Sequence, residues 1–169
     1  MRFFKLILVS IVMLCIAVLF VFSLFPSDIR ISRVLDIHSS KEKIHSALDN
    51  LNAWNRWNEF VRQPNTKQII STPSTGEGAY VESGVMRITI LHVSADSIKT
   101  AWLQRDRKQF DGGFNLKESQ DDNITVEWYF NFHFRWYPWE KLGSMFYDKQ
   151  LGPAMEKSLV NLKNYTENP

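Results

Sequence analysis

The chain has 169 residues, with 20 Lys and Arg against 18 Asp and Glu. That is enough for one domain of about 100–150 residues and a short extra segment. The +2 excess belongs to Arg2 and Lys5, so residues 28–169 are formally neutral and lack the net basic field of a nucleic-acid binder. Cys15 is the single cysteine, which excludes internal disulfides and cysteine-based zinc sites.

Residues 6–25 carry no charge, Gly or Pro, and Ser10 and Ser23 are their only hydroxylated side chains. About 20 such residues at 1.5 Å each cross the ~30 Å hydrocarbon core of a bilayer. A cleaved signal peptide is the rival reading. It wants an apolar stretch of about 7–15 residues and then a small-x-small site, whereas Phe25-Pro26 stands here. The expectation is a single-pass membrane protein, with residues 1–27 as anchor and short flank and residues 28–169 as the folded domain. Arg2 and Lys5 favour a cytoplasmic N-terminus, with Arg30 and Arg33 pulling the other way. This reading places the domain outside the cytoplasm.

The stretch "DIRISRVLDI" alternates, with Ile29, Ile31, Arg33, Leu35 and Ile37 on one side, which is the period of a strand with one buried face. "HSSKEKIHSALDNL" follows. Ser39 or Ser40 caps a helix whose apolar positions Ile44, Leu48 and Leu51 recur at i, i+4 and i+7. "NAWNRWNEF" then reads as a second short helix with Trp54, Trp57 and Phe60 on one face. Those three rings are either core packing or the wall of a cavity.

After Pro64, Pro73 and "STGEG", five runs rich in β-branched and aromatic residues read as an antiparallel meander: "GAYVES", "VMRITILHV", "SIKTAWLQ", "FDGGFNLKE" and "ITVEWYFNFHFRW". In the last, Ile124, Val126, Trp128, Phe130, Phe132, Phe134 and Trp136 share one face, with Glu127 and His133 on the other. Helical spacing returns after Pro138. Leu142, Met145, Phe146, Met155, Leu159 and Leu162 form an apolar stripe, and Gly152-Pro153 predicts a kink or break within it. Strand, two small helices, meander and long final helix define an α+β domain with the helix laid across one sheet face.

Four local words in this order, "FPSDIRISRVLDI", "LNAWNRWNEF", "STGEGAYVES" and "LGPAMEKSLVNLK", resemble membrane-anchored bacterial members of the START-like superfamily, also labelled SRPBCC or polyketide cyclase/dehydrase. The resemblance covers residues 25–163. It departs from the family pattern at Asn58, Glu59 and Phe60, where a proline and tryptophan are usual, and at Ser158, where a glycine is usual. It implies a helix-grip fold, a curved antiparallel sheet around a long C-terminal helix, enclosing a cavity for an apolar or amphipathic molecule. Lipid from the adjoining bilayer is one such molecule.

The candidate cavity residues are Trp54, Trp57, Phe60, Trp128, Phe130, Phe132, Phe134, Met145, Met155 and Leu159. Trp136, Tyr137 and Trp139 read as a plain strand-to-helix connection, as membrane-interface anchors or as a portal. No nucleophile elbow, P-loop, dinucleotide fingerprint or HExxH occurs, and no cofactor or metal is expected. Glu42 and His45 make one helical i, i+3 pair, short of a metal site. A cyclase or hydrolase would have to draw on Tyr80, Glu82 and Arg87. An interaction module with a filled core is the remaining alternative, its protein partner unspecified.

Overall fold

A computed structural model describes residues 2–23, 27–64, 66–104, 109–119, 123–134 and 138–168. Helix α1 (Arg2–Ser23) is exposed along its described side chains and contains an apolar stretch, Phe3–Val21, long enough to cross a membrane. Strand β1 (Asp28–Ile37) follows, then α2 (Lys41–Asp49), a 3-10 turn (Leu51–Ala53) and the single turn α3 (Trp54–Trp57). Six further strands, β2 (Gln68–Ile70), β3 (Tyr80–Ser83), β4 (Met86–Ser94), β5 (Ser97–Gln104), β6 (Phe110–Glu118) and β7 (Ile124–His133), precede the closing helix α4 (Pro138–Glu167).

All seven strands join one antiparallel sheet in the order β1-β7-β6-β5-β4-β3-β2. The first strand therefore closes onto the last, with Ile37 opposite Ile124 and Asp28 opposite His133. A register shift at Leu91 in β4 adds a bulge, a device that bends and twists a sheet. The inner face, α2, α3 and α4 share one core that includes Ile37, Leu48, Trp54, Ile90, Trp128 and Leu162, all fully buried.

The capping expectation resolves to Ser40, whose hydroxyl accepts from Lys43 N. Three features of the sequence reading need correction. Of the kink or break expected at Gly152-Pro153, the break does not occur, and helix α4 runs through both residues. Pro153 sits on the exposed side, and flanking Leu151 and Met155 are packed into the core, so packing offsets the lost backbone bond. Phe146 is exposed, because Tyr147, Leu151 and Met155 at i, i+4 and i+8 take the inward face one position away. The second small helix stops at Trp57 and does not reach Phe60. There Asn58 turns extended and its Oδ1 accepts the Phe60 N–H at 3.0 Å, a local bond that competes with another helical turn. The short strand β2 had no expectation. Three residues with two isoleucines are too few to show a period.

Candidate functional site

The interior is a layer of aromatic rings. Trp54 and Trp57 are fully buried and lie 5.3 Å apart by ring centroids. Each satisfies its indole N–H on a carbonyl of the α2 helix: Trp54 Nε1 donates to Leu48 O at 2.8 Å, and Trp57 Nε1 to Ala47 O at 3.3 Å. The tryptophan pair thus binds α3 to α2 while its rings meet the sheet. Phe114 stands edge-on to both at 5.9 Å, and Trp128 meets Trp57 at 6.2 Å. Phe60, half-buried on the turn after α3, points edge-on at Trp102, Trp128 and Phe130. Met155 and Leu159 on α4 belong to the same core.

From this layer the rings continue towards one end of the sheet. Phe130 touches Phe110 at 5.3 Å, Phe110 stacks on Phe132 at 4.8 Å, and Phe132 meets Tyr147 of α4 at 4.9 Å and Phe134 at 6.1 Å. Burial declines along the way: Phe130 is fully buried, whereas Phe110, Phe134 and Tyr147 are half-buried. The half-buried end lies beside the start of β1, where Phe134 N donates to Ser27 O at 2.8 Å. Ser27 is four residues beyond Ser23, the last residue of α1, so at most about 14 Å of chain separates the helix from this end of the ring column.

Polar groups inside are few. The buried polar residues are Asn58, Ser83, Thr100, Ser158 and Thr166, with no acid or base among the described residues of that set. Thr100 Oγ1 accepts from Trp102 Nε1 at 2.9 Å, Ser83 Oγ donates to Val61 O, and Thr166 Oγ1 donates to Leu162 O. Ser158 Oγ donates to Ala154 O and accepts from Glu59 N at 2.9 Å. Two buried donors find no hydrogen-bond partner among the described residues, Asn58 Nδ2 and Trp128 Nε1.

Glu59 closes the turn from outside. Its carboxylate accepts from Lys157 Nζ at 2.8 Å and from Asn161 Nδ2 at 2.9 Å. The Lys157 contact, reinforced by Asn161 and opposed by partial burial, holds its pKa below the ordinary glutamate value. The positions where the chain departs from the START-like pattern, Asn58 to Phe60 and Ser158, therefore meet in one place.

Tyr80, Glu82 and Arg87 lie on the other face of the sheet. Val81 between them points inward and is fully buried, whereas the Arg87 guanidinium covers the Tyr80 ring at 4.0 Å and reaches Glu82 at 3.3 Å. They do not reach the interior, where a cyclase would need them. His45 Nε2 bonds to Ser94 O at 2.9 Å, an ordinary tie of α2 to a strand end. On the outer face, burial pushes the Tyr129 hydroxyl pKa up, and the Arg30 guanidinium sits 4.0 Å over its ring. Burial opposes ionisation of Glu127 as well, but hydrogen bonds from Asn115 and Arg30 outweigh it and leave the pKa lowered. A cavity of about 300 Å³ beside the start of α2, lined by polar residues including Ser40 and Asn123, lies apart from the ring layer.

Of the candidates from sequence, Trp54, Trp57, Phe60, Trp128, Phe130, Phe132, Phe134, Met155 and Leu159 all join this core or pack against it. Trp136 and Tyr137 lie outside the described residues, as do the side chains of Trp139 and Met145. Trp102, Phe110 and Phe114, not among those candidates, belong to the same ring layer. Their signal was present in the alternation of "SIKTAWLQ" and "FDGGFNLKE", which places them on the inward face of β5 and β6.

No protein-family model and no curated protein matches the chain. Solved structures do. A START superfamily protein from Mycobacterium smegmatis is 17% identical, with 82% of this chain and 97% of that one covered at a TM-score of 0.60. CalU16 from Micromonospora echinospora is 15% identical, covering 80% and 73%, at 0.56. DynU16, from the dynemicin biosynthetic locus, is 12% identical at 0.57. The match takes in 85% of this chain but only 48% of that one, so the chain spans about half its length. The seven-stranded antiparallel sheet with its long C-terminal helix, together with these matches, gives the chain the START-like, helix-grip fold.

Proposed function

We propose that the domain binds an apolar or amphipathic small molecule between sheet and α4, drawn from the bilayer in which α1 is anchored. The observation that carries this reading is the direction of the ring column. Its half-buried end, Phe110, Phe134 and Tyr147, lies within about 14 Å of chain from the end of α1, and its fully buried end is at Trp54 and Trp57. An apolar interior with few polar groups suits a small-molecule site. The absence of an acid or base from the buried polar residues described supports holding a ligand over converting it. Burial of ligand surface at about 25 cal/mol per Å² would drive uptake.

The test uses the full chain carrying Trp136→Phe and Trp139→Phe, reconstituted in phosphatidylcholine vesicles with or without brominated acyl chains. Bromine quenches tryptophan fluorescence at contact range, and Trp54, Trp57, Trp102 and Trp128 are all fully buried in the domain. Quenching by the brominated vesicles is expected. Fluorescence identical in both vesicles would end the bilayer-uptake reading. The close ring-on-ring packing around Trp102 and Trp128 favours a second reading, a filled-core interaction module. That reading gains if no hydrophobic probe is taken up either.

A further inference from the structure

Two hydrogen-bond donors stand unpaired in the ring layer, whereas the third buried polar atom without a partner among the described residues, Asn123 Oδ1, belongs to a residue lining the polar pocket beside α2. Asn58 and Trp128 are each fully buried, and neither Asn58 Nδ2 nor Trp128 Nε1 has a partner among the described residues. A buried donor left without an acceptor carries its full desolvation cost, and native proteins have few of them. Trp54, Trp57 and Trp102 show the contrast, since each indole N–H in the same layer finds an oxygen.

The two donors belong to one neighbourhood. Asn58 lies between Trp57 and Phe60 in the chain, and both rings pack edge-on against Trp128, at 6.2 and 5.6 Å. Phe60 is the ring of this layer that can leave without opening a helix or strand. It is half-buried and sits on the turn that Asn58 Oδ1 holds. A ligand taking its place would come beside Trp128 and Asn58.

We infer that these two N–H groups receive the oxygen of a neutral carbonyl, so that the ligand is an apolar molecule bearing a ketone or ester. This rests on the proposed interior binding and narrows its chemistry. Two donors call for an acceptor with two lone pairs and no proton of its own to place, and a carbonyl oxygen meets this while accepting more strongly and lying more open than an ether oxygen flanked by two carbons. A carboxylate fits less well, because it would need a countercharge. The cation opposite Trp128 in the ladder, Arg33, is already engaged by Asp148 at 2.9 Å and Glu156 at 2.7 Å.

The experiment compares ligand pairs that differ by the carbonyl alone, on the full chain in nanodiscs. In one arm, 2-acetylnaphthalene and 2-ethylnaphthalene are titrated while the 15N-labelled indole resonance of Trp128, assigned with Trp128→Phe, is followed. In the other, brominated diester and diether phosphatidylcholines are compared by tryptophan quenching, which separates a membrane-lipid ester from a free ketone as the source. The carbonyl member should bind about tenfold more tightly in at least one arm, one good hydrogen bond's worth. Trp128→Phe and Asn58→Leu should each bring the ratio of the two affinities within a pair towards one, a readout that a general change in packing, which moves both members together, would not shift. Equal binding of both members, or a preference that survives both substitutions, overturns the carbonyl assignment and leaves interior binding standing. If no member of either pair binds, interior binding fails and the assignment falls with it.

Discussion

Arg33 lies directly on Gly152. A Cβ added to the glycine would collide with Arg33 Nη2, so the bare backbone of α4 is the seat for an inward-facing guanidinium on the edge strand β1. From that seat Arg33 reaches Asp148 and Glu156, and the Glu156 bond leads in raising its pKa further. Two effects oppose each other in Gly152→Ala. Helix propensity favours alanine by about 1 kcal/mol, while Arg33 must swing away from two exposed carboxylates, a loss of up to about 1 kcal/mol each. The single substitution should be nearly neutral. In an Arg33→Ser background it should stabilise by about 1 kcal/mol. A double-mutant cycle by urea unfolding measures the coupling, and no coupling would mean the guanidinium is not seated there.

Gly113 in β6 offers no such escape. Its added Cβ would meet Ile98 O at 2.6 Å and the Tyr129 hydroxyl at 2.8 Å, and the first is backbone of the neighbouring strand. Gly113→Ala should cost about 1–3 kcal/mol, the range for overpacking, and clearly more than Gly152→Ala. Thermal melts of the two variants side by side decide the order.

Glu59 makes stability depend on acid. Its pKa is depressed in the folded chain, so its contribution is present above the unfolded value of about 4.3 and is lost as pH falls through the folded one. Glu59→Gln should lower the melting temperature at neutral pH. The wild-type and variant curves should then converge as pH drops towards about 3. Parallel curves over that interval would mean that the Lys157 contact contributes nothing.

Trp128→Ala is a poor probe of binding. The ring is fully buried against Trp57, Phe60, Trp102, Phe114 and Phe130, and removing it should cost about 3–5 kcal/mol of a total near 5–15 kcal/mol. Phe60→Ala is the better choice. Half-buried on a turn, it should cost about 2–3 kcal/mol, at or below the lower end for such truncations, and free space in the ring layer. Uptake of 2-acetylnaphthalene should strengthen by this change. Unaltered affinity would place any ligand elsewhere.

Retention of α1 is checked by fractionation. The full chain should stay in the membrane pellet through alkaline carbonate extraction, and its intact mass should include residues 1–25. A soluble product beginning after the apolar stretch would instead make that stretch a cleaved signal.

Much of this architecture could be read from periodicity, because each burial pattern repeats within one element. The alternation of Ile124 to Phe134 matches the observed faces of β7, and Ser40, Ile44 and Leu48 perform as a cap and a buried stripe should. The site was less legible. That Asn58, Glu59, Phe60 and Ser158 meet depends on a contact across about a hundred positions, Glu59 N to Ser158 Oγ, which no local spacing encodes. Arg33 on the apolar side of β1 was visible in the alternation, but its reason, a glycine on α4, was not. Tyr80, Glu82 and Arg87 drew attention by residue type, and strand parity turns them outward around Val81.

The ten-residue pairing of β1 with β7 has a mechanical meaning. Ser27 leads directly into β1, so tension on the chain before it enters the sheet at Asp28. Force directed along the β1 axis would load this ladder in shear, with its ten residue pairs sharing the force, and would not unzip it one rung at a time. Under the proposed anchoring of α1, this pairing gives the domain a stiff load path where its chain enters the fold.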